Sequence, residues 1–514
     1  MQPHGKNNLA EAVAAVSERS PRNPALTYAD RTWTYGQLAE GISRVAGGLC
    51  GLHVDTADRV ALILPNRPEF ILAYMATVSL GATVVPVPPM LAGEEIVRIL
   101  RDARPVVVIT VGEFAELAKN LHRAVSSVRH IVVCGVSADS STLSWEEFNS
   151  GEPLQTLPDI APNTPAALVY TGGTTGQPKG AVLTHKNILA NVRQCSAAIP
   201  FTETDRFVTV LPLFHCFGAT VSMHIPALVG AHNVLLPNFS PLHTLEAIDR
   251  AGATIIAGVP TMYTMMLQVK SDTEYDLSSL RFAVSGGAPL RRETWEAFRN
   301  RWDVNIVEGY GPTEASPVVS CNRPGRQRVG SVGPPLPGVE VGIFDDAMNR
   351  LTPGEIGEIC VRGENVMAGY HRAPGQTAET VVNGWLRTGD LGRVDEDGFL
   401  HIVDRKKDLI IVGGMNVYPR EVEQAICRHP DVVEAAVVGA PHHLRGEVVT
   451  AYVVPVEAAD IQEIDIIEHC REHLAAYKVP RRVNFAEALP RSPIGKVLKR
   501  ELRSNTEYRT GDTE

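Results

Sequence analysis

Basic charge and paired cysteines are both scarce in this chain of 514 residues. Lysine and arginine number 48 against 58 aspartates and glutamates, which gives a net charge of -10 at pH 7. Nucleic-acid-binding proteins generally carry a basic surface, so this balance argues against a nucleic-acid partner. The eight cysteines contain no CxxC pair, and the sequence therefore predicts neither a zinc site nor a disulfide framework. A reducing compartment fits this cysteine usage best.

Uninterrupted apolar runs of membrane-spanning length are also lacking. Residues 70–93 and 207–245 contain no Asp, Glu, Lys or Arg, but glycine and proline interrupt the first, and histidines and prolines interrupt the second. We expect both to be buried core, and the second also to wall an apolar pocket. The N-terminal sequence MQPHGKNNLAEAV has no basic region followed by an apolar core, so it does not resemble a signal peptide. These features predict a cytoplasmic protein with no transmembrane segment.

The length predicts at least two domains, because single hydrophobic cores stop growing near about 250 to 300 residues. A strand at 60–64, a helix at 68–80 and a strand at 83–87 are predicted to form a βαβ unit. Further strands are predicted at 105–110, 130–133, 207–211, 234–236, 254–257 and 282–285. The alternation predicts a layered α/β architecture with parallel sheets buried between helices.

The pattern changes after Val341, where shorter strands with polar turns predict a β-rich subdomain. After Arg405 a compact α+β domain is predicted, with strands at 409–412, 432–438 and 447–455 and helices at 420–428 and 464–474. The predicted fold class is therefore α/β, with layered α/β subdomains and a β-rich subdomain in a large N-terminal domain, residues 1–404. A small α+β C-terminal domain is predicted for residues 405–514.

The most informative stretch is YTGGTTGQPKG, residues 170–180. Its glycines can adopt positive φ and bring backbone amides close to an anion, its threonines add hydroxyl donors, and Lys179 adds a mobile positive charge. The stretch does not fit GxxxxGK[ST], because Lys179 follows Pro178 and no Ser or Thr comes after it. A plain surface turn is the alternative, but the threonines and glycines leading to PKG favour a phosphate-binding loop.

Four more segments carry candidate chemistry. VEGYGPTE, ending at Glu314, offers a ring at Tyr310 to stack on a base, a hydroxyl at Thr313 and a carboxylate for a hard cation. In LRTGDLG, Asp390 can accept from two vicinal hydroxyls such as those of a ribose. The DRKKD and IGKVLKREL segments supply Arg405 and Lys496. Taken alone, VEGYGPTE could be a strand-to-loop turn with a core tyrosine, LRTGDLG favours a structural turn, and the two basic segments favour a solvated surface.

Together, in this order and spacing, these segments resemble the adenylate-forming superfamily of acyl- and aryl-CoA synthetases, peptide-synthetase adenylation domains and beetle luciferases. The resemblance runs from Leu26 to Lys499 and includes LPLFHCFG, GVPTMY, SGGAPL and LAAYKVP. It implies a large N-terminal domain and a small mobile C-terminal one. It also implies two steps: a carboxylate attacks the α-phosphate of MgATP to give acyl-AMP and pyrophosphate, and a thiol then releases AMP.

The resemblance assigns roles to individual positions. Lys496, Thr313 and Glu314 would be catalytic, with Glu314 holding Mg²⁺. The expected ATP-binding residues are Thr171, Gly172, Gly173, Thr174, Thr175, Gly176, Lys179, Gly287, Ala288, Tyr310, Gly311, Thr313, Asp390, Arg405 and Lys496. The remaining expected roles are a substrate gate at His215 and Gly286, a hinge at Lys407 and a CoA tunnel at Gly414. Gly172 departs from the serine that many members have, which removes a hydroxyl but keeps the backbone donors.

The segment EGYGPTEASPVV resembles the version found in fatty acyl-CoA synthetases, and the uncharged stretch 207–245 agrees with an apolar acyl channel. We therefore expect a medium- or long-chain fatty acid as substrate, with an aryl acid such as a cinnamate or benzoate second. CoA is the favoured thiol, and loading of an acyl carrier protein stays open. A catalytically silent nucleotide-binding scaffold is the alternative outside this class.

Overall fold

The computed structural model describes residues 8–135, 142–171, 178–270, 274–491 and 497–507. The chain divides into two compact units. The first comprises Met1–Val341 and Val361–Arg387, and the second comprises Gly342–Cys360 and Thr388–Glu514. The fold is α/β with a large N-terminal and a small C-terminal part. The division at residues 404 and 405 remains a prediction.

The described residues form strands and helices that are numbered here in chain order. The strands are β1 Pro24–Tyr28, β2 Arg31–Thr34, β3 Arg59–Ile63, β4 Thr83–Pro86, β5 Val107–Val111, β6 His130–Cys134, β7 Leu143–Ser144, β8 Pro165–Thr171, β9 Lys179–Thr184, β10 Arg206–Thr209, β11 His232–Leu235, β12 Ile255–Gly258, β13 Phe282–Ser285, β14 Ile306–Tyr310, β15 Ser320–Cys321, β16 Val339–Phe344, β17 Gly357–Gly363, β18 Gly369–Tyr370, β19 Val381–Val382, β20 Trp385–Val394, β21 Leu400–Arg405, β22 Ile410–Val412, β23 Met415–Val417, β24 Val432–His442, β25 Gly446–Pro455 and β26 Arg482–Phe485.

The α-helices are α1 Leu9–Arg19, α2 Tyr35–Gly51, α3 Pro68–Ser79, α4 Gly93–Ala103, α5 Ala115–Ala124, α6 Trp145–Phe148, α7 His185–Ala198, α8 Cys216–Ala219, α9 Ile225–Val229, α10 Pro241–Ala251, α11 Pro260–Leu267, α12 Arg292–Trp302, α13 Pro374–Thr380, α14 Pro419–Ile426, α15 Glu463–His473 and α16 Lys499–Glu507. Single 3₁₀ turns lie at Gly112–Phe114, Thr313–Ala315 and Lys406–Asp408, and a π-helical turn lies at Thr220–His224.

The predicted βαβ unit is confirmed as β3, α3 and β4, with β3 parallel to β4. Helix α3 begins at Pro68, whose fixed φ suits a first helical position, and it is buried around most of its circumference. Burial within the protein therefore explains the long apolar run of α3. Within the described ranges, no helix has the length and apolar character needed to cross a bilayer.

Two eight-stranded sheets organise the first unit. Their strand orders are β15-β14-β13-β12-β10-β11-β1-β2 and β18-β9-β8-β4-β3-β5-β6-β7. The first has an antiparallel strand at each end, and the second has antiparallel strands at the β18 end only. Strands β10 to β14 pair in parallel, so the loops after β13 and β14 emerge at the same sheet edge. Ligand sites of open α/β sheets lie at this carboxyl edge.

The uncharged stretch 207–245 folds mainly into the interior of the first unit. It supplies β10 and β11, and between them α8, the π-helical turn and α9, in which Met223 and Ile225 are almost fully buried. The expected burial is confirmed, whereas an acyl pocket along this stretch remains a prediction.

The β-rich part expected after Val341 is a sheet of order β16-β17-β20-β19, with β21 paired to β20. The C-terminal α+β part is a sheet of order β23-β22-β25-β24, with β26 added in parallel to β25. Its apolar core includes Val437, Val449 and Val453 and is covered by Val422 and Ile426 of α14. The predicted strand and helix order of this part is confirmed.

Candidate active site

The hairpin of β8 and β9 carries the predicted phosphate-binding loop between its strands. Thr171 ends β8 and pairs directly with Lys179, which begins β9. The β8–β9 pairing therefore fixes the two ends of the loop on neighbouring strands. Gly172, Gly173, Thr174, Thr175 and Gly176 lie outside the described residues, as does Lys496.

Glu314 lies beside that hairpin, although 143 residues separate it from Thr171. The hydroxyl of Thr171 donates to Oε1 of Glu314 at 3.4 Å, and the hydroxyl of Tyr370 donates to the same oxygen at 2.8 Å. The ammonium of Lys179 lies 5.4 Å from the centroid of the Tyr370 ring. Burial, followed by the nearby Glu314 charge, raises the pKa of Tyr370, which keeps its hydroxyl protonated as a donor. The structure thus brings Thr171, Lys179 and Glu314 together, and their roles in binding phosphate and metal remain predictions.

Thr313 precedes Glu314 in a single 3₁₀ turn that follows β14. Its hydroxyl lies 3.1 Å from Sγ of Cys216 at the start of α8. His215 precedes α8, and its Nδ1 accepts from the backbone N–H of Phe217 at 3.2 Å. The imidazole therefore caps the first turn of α8. This structural role accounts for the position of His215 without a gating role.

The SGGAPL segment forms the loop after β13. Gly287 has φ of +80°, and a side-chain carbon on Gly286 would lie 3.2 Å from the ring of Phe217. Ala288 and Gly287 are exposed. The buried carboxylate of Glu308 accepts from the backbone N–H of Leu290 at 3.1 Å. This bond joins the loop after β13 to the neighbouring strand β14.

Tyr310 ends β14 and is half-buried. The next residue, Gly311, passes so close to the following segment that a Cβ would lie 1.7 Å from the carbonyl oxygen of Pro317. Only glycine allows this close backbone approach. The close packing of Gly311 against Pro317 therefore fixes the GYGPTE turn between β14 and the 3₁₀ turn of Thr313 and Glu314.

In the second unit, Asp390 of β20 pairs directly with Arg405 of β21. Their side chains form an ion pair with Nε and Oδ1 3.3 Å apart. Gly389 donates its backbone N–H to Glu358, and the hydroxyl of Thr388 accepts from the N–H of Asp390 at 3.1 Å. The TGD turn is therefore held by hydrogen bonds from the backbone N–H groups of Gly389 and Asp390.

Two further predicted positions also lie in the second unit. Lys407 occupies a 3₁₀ turn, and burial together with Arg405 lowers the pKa of its ammonium. Gly414 and Gly413 form the two-residue turn between β22 and β23, both with positive φ. A Cβ on either would meet no atom within 4 Å, so backbone conformation, not space, requires glycine there.

Across the described ranges, no group of three or more His, Cys, Asp or Glu residues is arranged to hold a metal ion. The Glu314 carboxylate accepts hydrogen bonds from the hydroxyls of Thr171 and Tyr370. This oxygen donor set fits Mg²⁺, which is commonly held by one or two carboxylates together with substrate phosphates.

Three residues near the predicted site had no role in the sequence-based prediction. They are Tyr370, Glu308 and Cys216, which contact Glu314, Leu290 and Thr313 respectively. Tyr370 lies in a two-residue strand, and Cys216 lies within LPLFHCFG next to His215, the predicted gate. Their positions depend on contacts between distant segments, which sequence periodicity does not encode.

Comparison with known proteins agrees with this geometry. Residues 13–371 match the AMP-binding enzyme family, and residues 421–496 match the AMP-binding enzyme C-terminal domain. The chain belongs to the AMP-binding enzyme family.

Individual relatives span almost the whole chain. A long-chain-fatty-acid–CoA ligase of Bacillus subtilis (strain 168) is 36% identical over 97% of this chain and 95% of its own length. A crystal structure of the anthranilate CoA ligase AuaEII with anthranoyl-AMP is 32% identical and has a TM-score of 0.90, with 97% of each chain covered. ATP-bound MatB from Rhodopseudomonas palustris is 33% identical, also with a TM-score of 0.90, over 97% of this chain and 99% of its own.

Proposed function

We propose that this protein is an ATP-dependent acid–thiol ligase that activates a medium- or long-chain fatty acid and transfers the acyl group to CoA. The observation that carries the proposal is the cluster of Thr171, Lys179 and Glu314 at the end of the β8–β9 hairpin. Full-length similarity to a long-chain-fatty-acid–CoA ligase supports the choice of acid and thiol.

In the first step, a carboxylate oxygen forms a bond to the α-phosphorus of ATP while the bond to the pyrophosphate oxygen breaks. Negative charge increases on the phosphoryl oxygens in the transition state, so fixed cations and donors aimed at them lower the barrier. Lys179 and the amides of residues 171–176 hold the β- and γ-phosphates, and the hydroxyl of Thr313 donates to the α-phosphate. Mg²⁺ bound through Glu314 would supply further positive charge to the phosphates.

Tyr310, Gly311, Gly287 and Ala288 frame the adenine in this proposal. Asp390 accepts hydrogen bonds from the ribose hydroxyls, and Arg405 holds the Asp390 carboxylate in place through their ion pair. Lys496 provides the cation that balances charge between the acyl carboxylate and the α-phosphate during adenylation.

In the second step, the thiolate sulfur of CoA forms a bond to the acyl carbon, and the bond from that carbon to the AMP oxygen breaks. Lys407 acts as the hinge between the two steps, and Gly414 lines the tunnel for the thiol. A hinge residue that absorbs backbone rotation is a common way of gating successive steps.

An apolar channel suits a fatty acid, because each buried CH₂ contributes about 0.8 kcal/mol to binding. The uncharged stretch 207–245, which is mostly buried, would line this channel. An aryl acid is the second candidate, since anthranilate CoA ligase has the same fold at 32% identity. His215 and Gly286 would then form the entrance for either acid.

The acid and thiol are tested together by supplying radiolabelled fatty and aryl acids with ATP and offering either CoA or a phosphopantetheinyl carrier protein. We expect labelled acyl-CoA with the fatty acids. Label on the carrier protein alone would reject CoA as the acceptor, and exclusive use of aryl acids would reject the fatty-acid assignment. Absence of any acyl product across the panel would indicate a nucleotide-binding scaffold.

A further inference from the structure

Tyr370 contacts two charged groups that the proposed function places on the phosphates and the metal. Its hydroxyl donates to Oε1 of Glu314 at 2.8 Å, and the face of its ring receives the ammonium of Lys179 at 5.4 Å. Both contacts come from one side chain, so the position of Tyr370 links the carboxylate to the lysine.

The backbone around Tyr370 makes this position rigid. Tyr370 pairs with Ala181 and Gly369 pairs with Val182, which places β18 directly against β9, the strand that begins at Lys179. The backbone N–H of Tyr370 donates to the hydroxyl of Thr377 at 2.9 Å, and the next residue, His371, donates its N–H to the carbonyl of Gly180 at 2.7 Å. The tyrosine is therefore anchored to the same hairpin that carries the phosphate-binding loop.

Glu314 is fixed to the same element through its main chain. Its carbonyl oxygen accepts from the N–H of Met367 at 2.8 Å, three residues before Tyr370. The segment from Met367 to Tyr370 thus contacts Glu314 at both its backbone and its carboxylate. This double attachment leaves the carboxylate little freedom to rotate.

The chemistry of the two contacts preserves both charges. A phenol hydroxyl and an aromatic face carry no formal charge, so they hold a carboxylate and an ammonium without neutralising either. Tyr370 donates to Oε1 of Glu314, and Oε2 receives no bond from it. A carboxylate held in this way keeps its charge for a cation, and Lys179 keeps its charge for a phosphate.

We propose that Tyr370 is a positioning residue that orients the Glu314 carboxylate for its metal ion and holds the Lys179 ammonium in position at the start of β9. The inference rests on the proposed roles of Glu314 and Lys179. Residues that hydrogen-bond to a metal ligand usually change metal affinity by about 10- to 100-fold when they are removed.

Two variants separate the two contacts. Tyr370→Phe removes the hydroxyl but keeps the ring, so we expect the Mg²⁺ concentration for half-maximal adenylation to rise by about tenfold, with KM for ATP at saturating Mg²⁺ little changed. Tyr370→Leu also removes the aromatic face. We expect this variant to raise KM for ATP even at saturating Mg²⁺, because Lys179 loses its cation–π contact.

A binding measurement supplies a readout that does not depend on turnover. Calorimetric titration with the α,β-methylene analogue of ATP, repeated over a series of Mg²⁺ concentrations, should show weakened metal-dependent binding for Tyr370→Phe and for Glu314→Gln. The double variant should bind no more weakly than Glu314→Gln alone, because the hydroxyl acts through that carboxylate.

Tyr452→Phe is the control, because it also removes a single phenol hydroxyl. That hydroxyl donates to the carbonyl oxygen of Leu502 at 3.0 Å, and neither residue has a proposed role in binding ATP or Mg²⁺. The Mg²⁺ dependence of Tyr452→Phe should therefore match that of the unmodified protein. An equal shift in both tyrosine variants would overturn the inference.

The remaining outcomes distinguish this inference from the proposed function. If Glu314→Gln shifts the Mg²⁺ dependence and Tyr370→Phe does not, the role of Tyr370 is wrong and the metal assignment stands. If neither variant shifts it, the metal assignment of Glu314 is wrong, and the role of Tyr370 falls with it. Because phenylalanine preserves the ring, Tyr370→Phe decides the question even if Tyr370→Leu fails to fold.

Discussion

The carboxylate of Glu308 and the backbone N–H of Leu290 form a hydrogen bond of 3.1 Å that ties the loop after β13 to β14. That loop contains Gly287 and Ala288, which we place against the adenine. Glu308 is only 7% exposed, so its carboxylate replaces water as the partner of this amide.

Glu308→Ala should leave that amide without its acceptor, which costs about 1–3 kcal/mol in the free energy of unfolding. KM for ATP should rise because the adenine loop loses its attachment to β14. Glu308→Gln keeps an acceptor oxygen and should restore most of both properties. Steady-state kinetics with ATP varied, together with thermal unfolding of both variants, checks this expectation; equal KM values for ATP in the alanine and unmodified proteins would contradict it.

Gly311→Ala should be severely impaired. Its Cβ would lie 1.7 Å from the carbonyl oxygen of Pro317, so the GYGPTE turn has to move. A misplacement of about 1 Å can lower a rate by about 100-fold, and we expect a loss of that order in kcat/KM for ATP.

Gly375→Ala is the matched control for this substitution, because a Cβ there meets no atom within 4 Å and the residue lies in the first turn of α13. Its kcat/KM for ATP should equal that of the unmodified protein. Retained activity in Gly311→Ala would show that this turn does not position ATP.

Asp390→Asn should raise KM for ATP by about 10- to 100-fold, since charge-assisted hydrogen bonds contribute about 1.5–3 kcal/mol. The neutral amide also loses the ion pair with Arg405. Lys406→Gln provides the comparison, because Lys406 neighbours Arg405 but pairs with Asp346 and Glu358 instead. Fluorescence titration with a labelled ATP analogue would measure the affinity of both variants. Equal affinities in the two variants would contradict the assignment of Asp390 to the ribose.

The stability of the first unit should decrease between pH 7 and pH 5 partly through His185. Burial lowers the pKa of its ring from 6.5 to about 4, and its Nδ1 accepts from the N–H of Leu9 at 3.1 Å. Below pH 6.5 the unfolded chain binds the proton more readily, so this contribution to stability is complete above pH 6.5 and is lost toward pH 4. The expected loss at pH 5 is about 2 kcal/mol.

His185→Asn keeps an acceptor for Leu9 but does not titrate in this range. Urea unfolding at pH 7 and pH 5, followed by a probe in the first unit, should show a smaller decrease for the variant. The same decrease in both proteins would mean that His185 does not carry this pH dependence.

Much of the fold could be predicted from the sequence because local patterns determine its parts. Strand β13 has the predicted bounds, and α3 begins at the predicted Pro68 and ends one residue earlier than expected. Two of the predicted site residues, Gly311 and Gly287, lie where close approach or positive φ requires glycine, which is a signal that a sequence carries. Tyr370 was not predictable, because its importance depends on a hydrogen bond across 56 residues and on the pairing of a two-residue strand.

The contact of Thr313 with Cys216 could not be predicted for the same reason, since 97 residues separate them. The two-unit division also depends on long-range contacts. Chain segments before and after Val361–Arg387 belong to the second unit, and a linear sequence pattern cannot indicate such an alternation.

The central claim is that this protein joins a carboxylate to AMP, with Lys496 needed for that step alone. The most direct measurement is pyrophosphate–ATP exchange with and without a long-chain fatty acid, in the unmodified protein and in Lys496→Ala, alongside acyl-CoA formation from supplied acyl-AMP. We expect exchange that requires the fatty acid, loss of exchange in Lys496→Ala and retained thiolation in that variant. Exchange that is absent with every acid, or equal loss of both half-reactions in Lys496→Ala, would contradict the account.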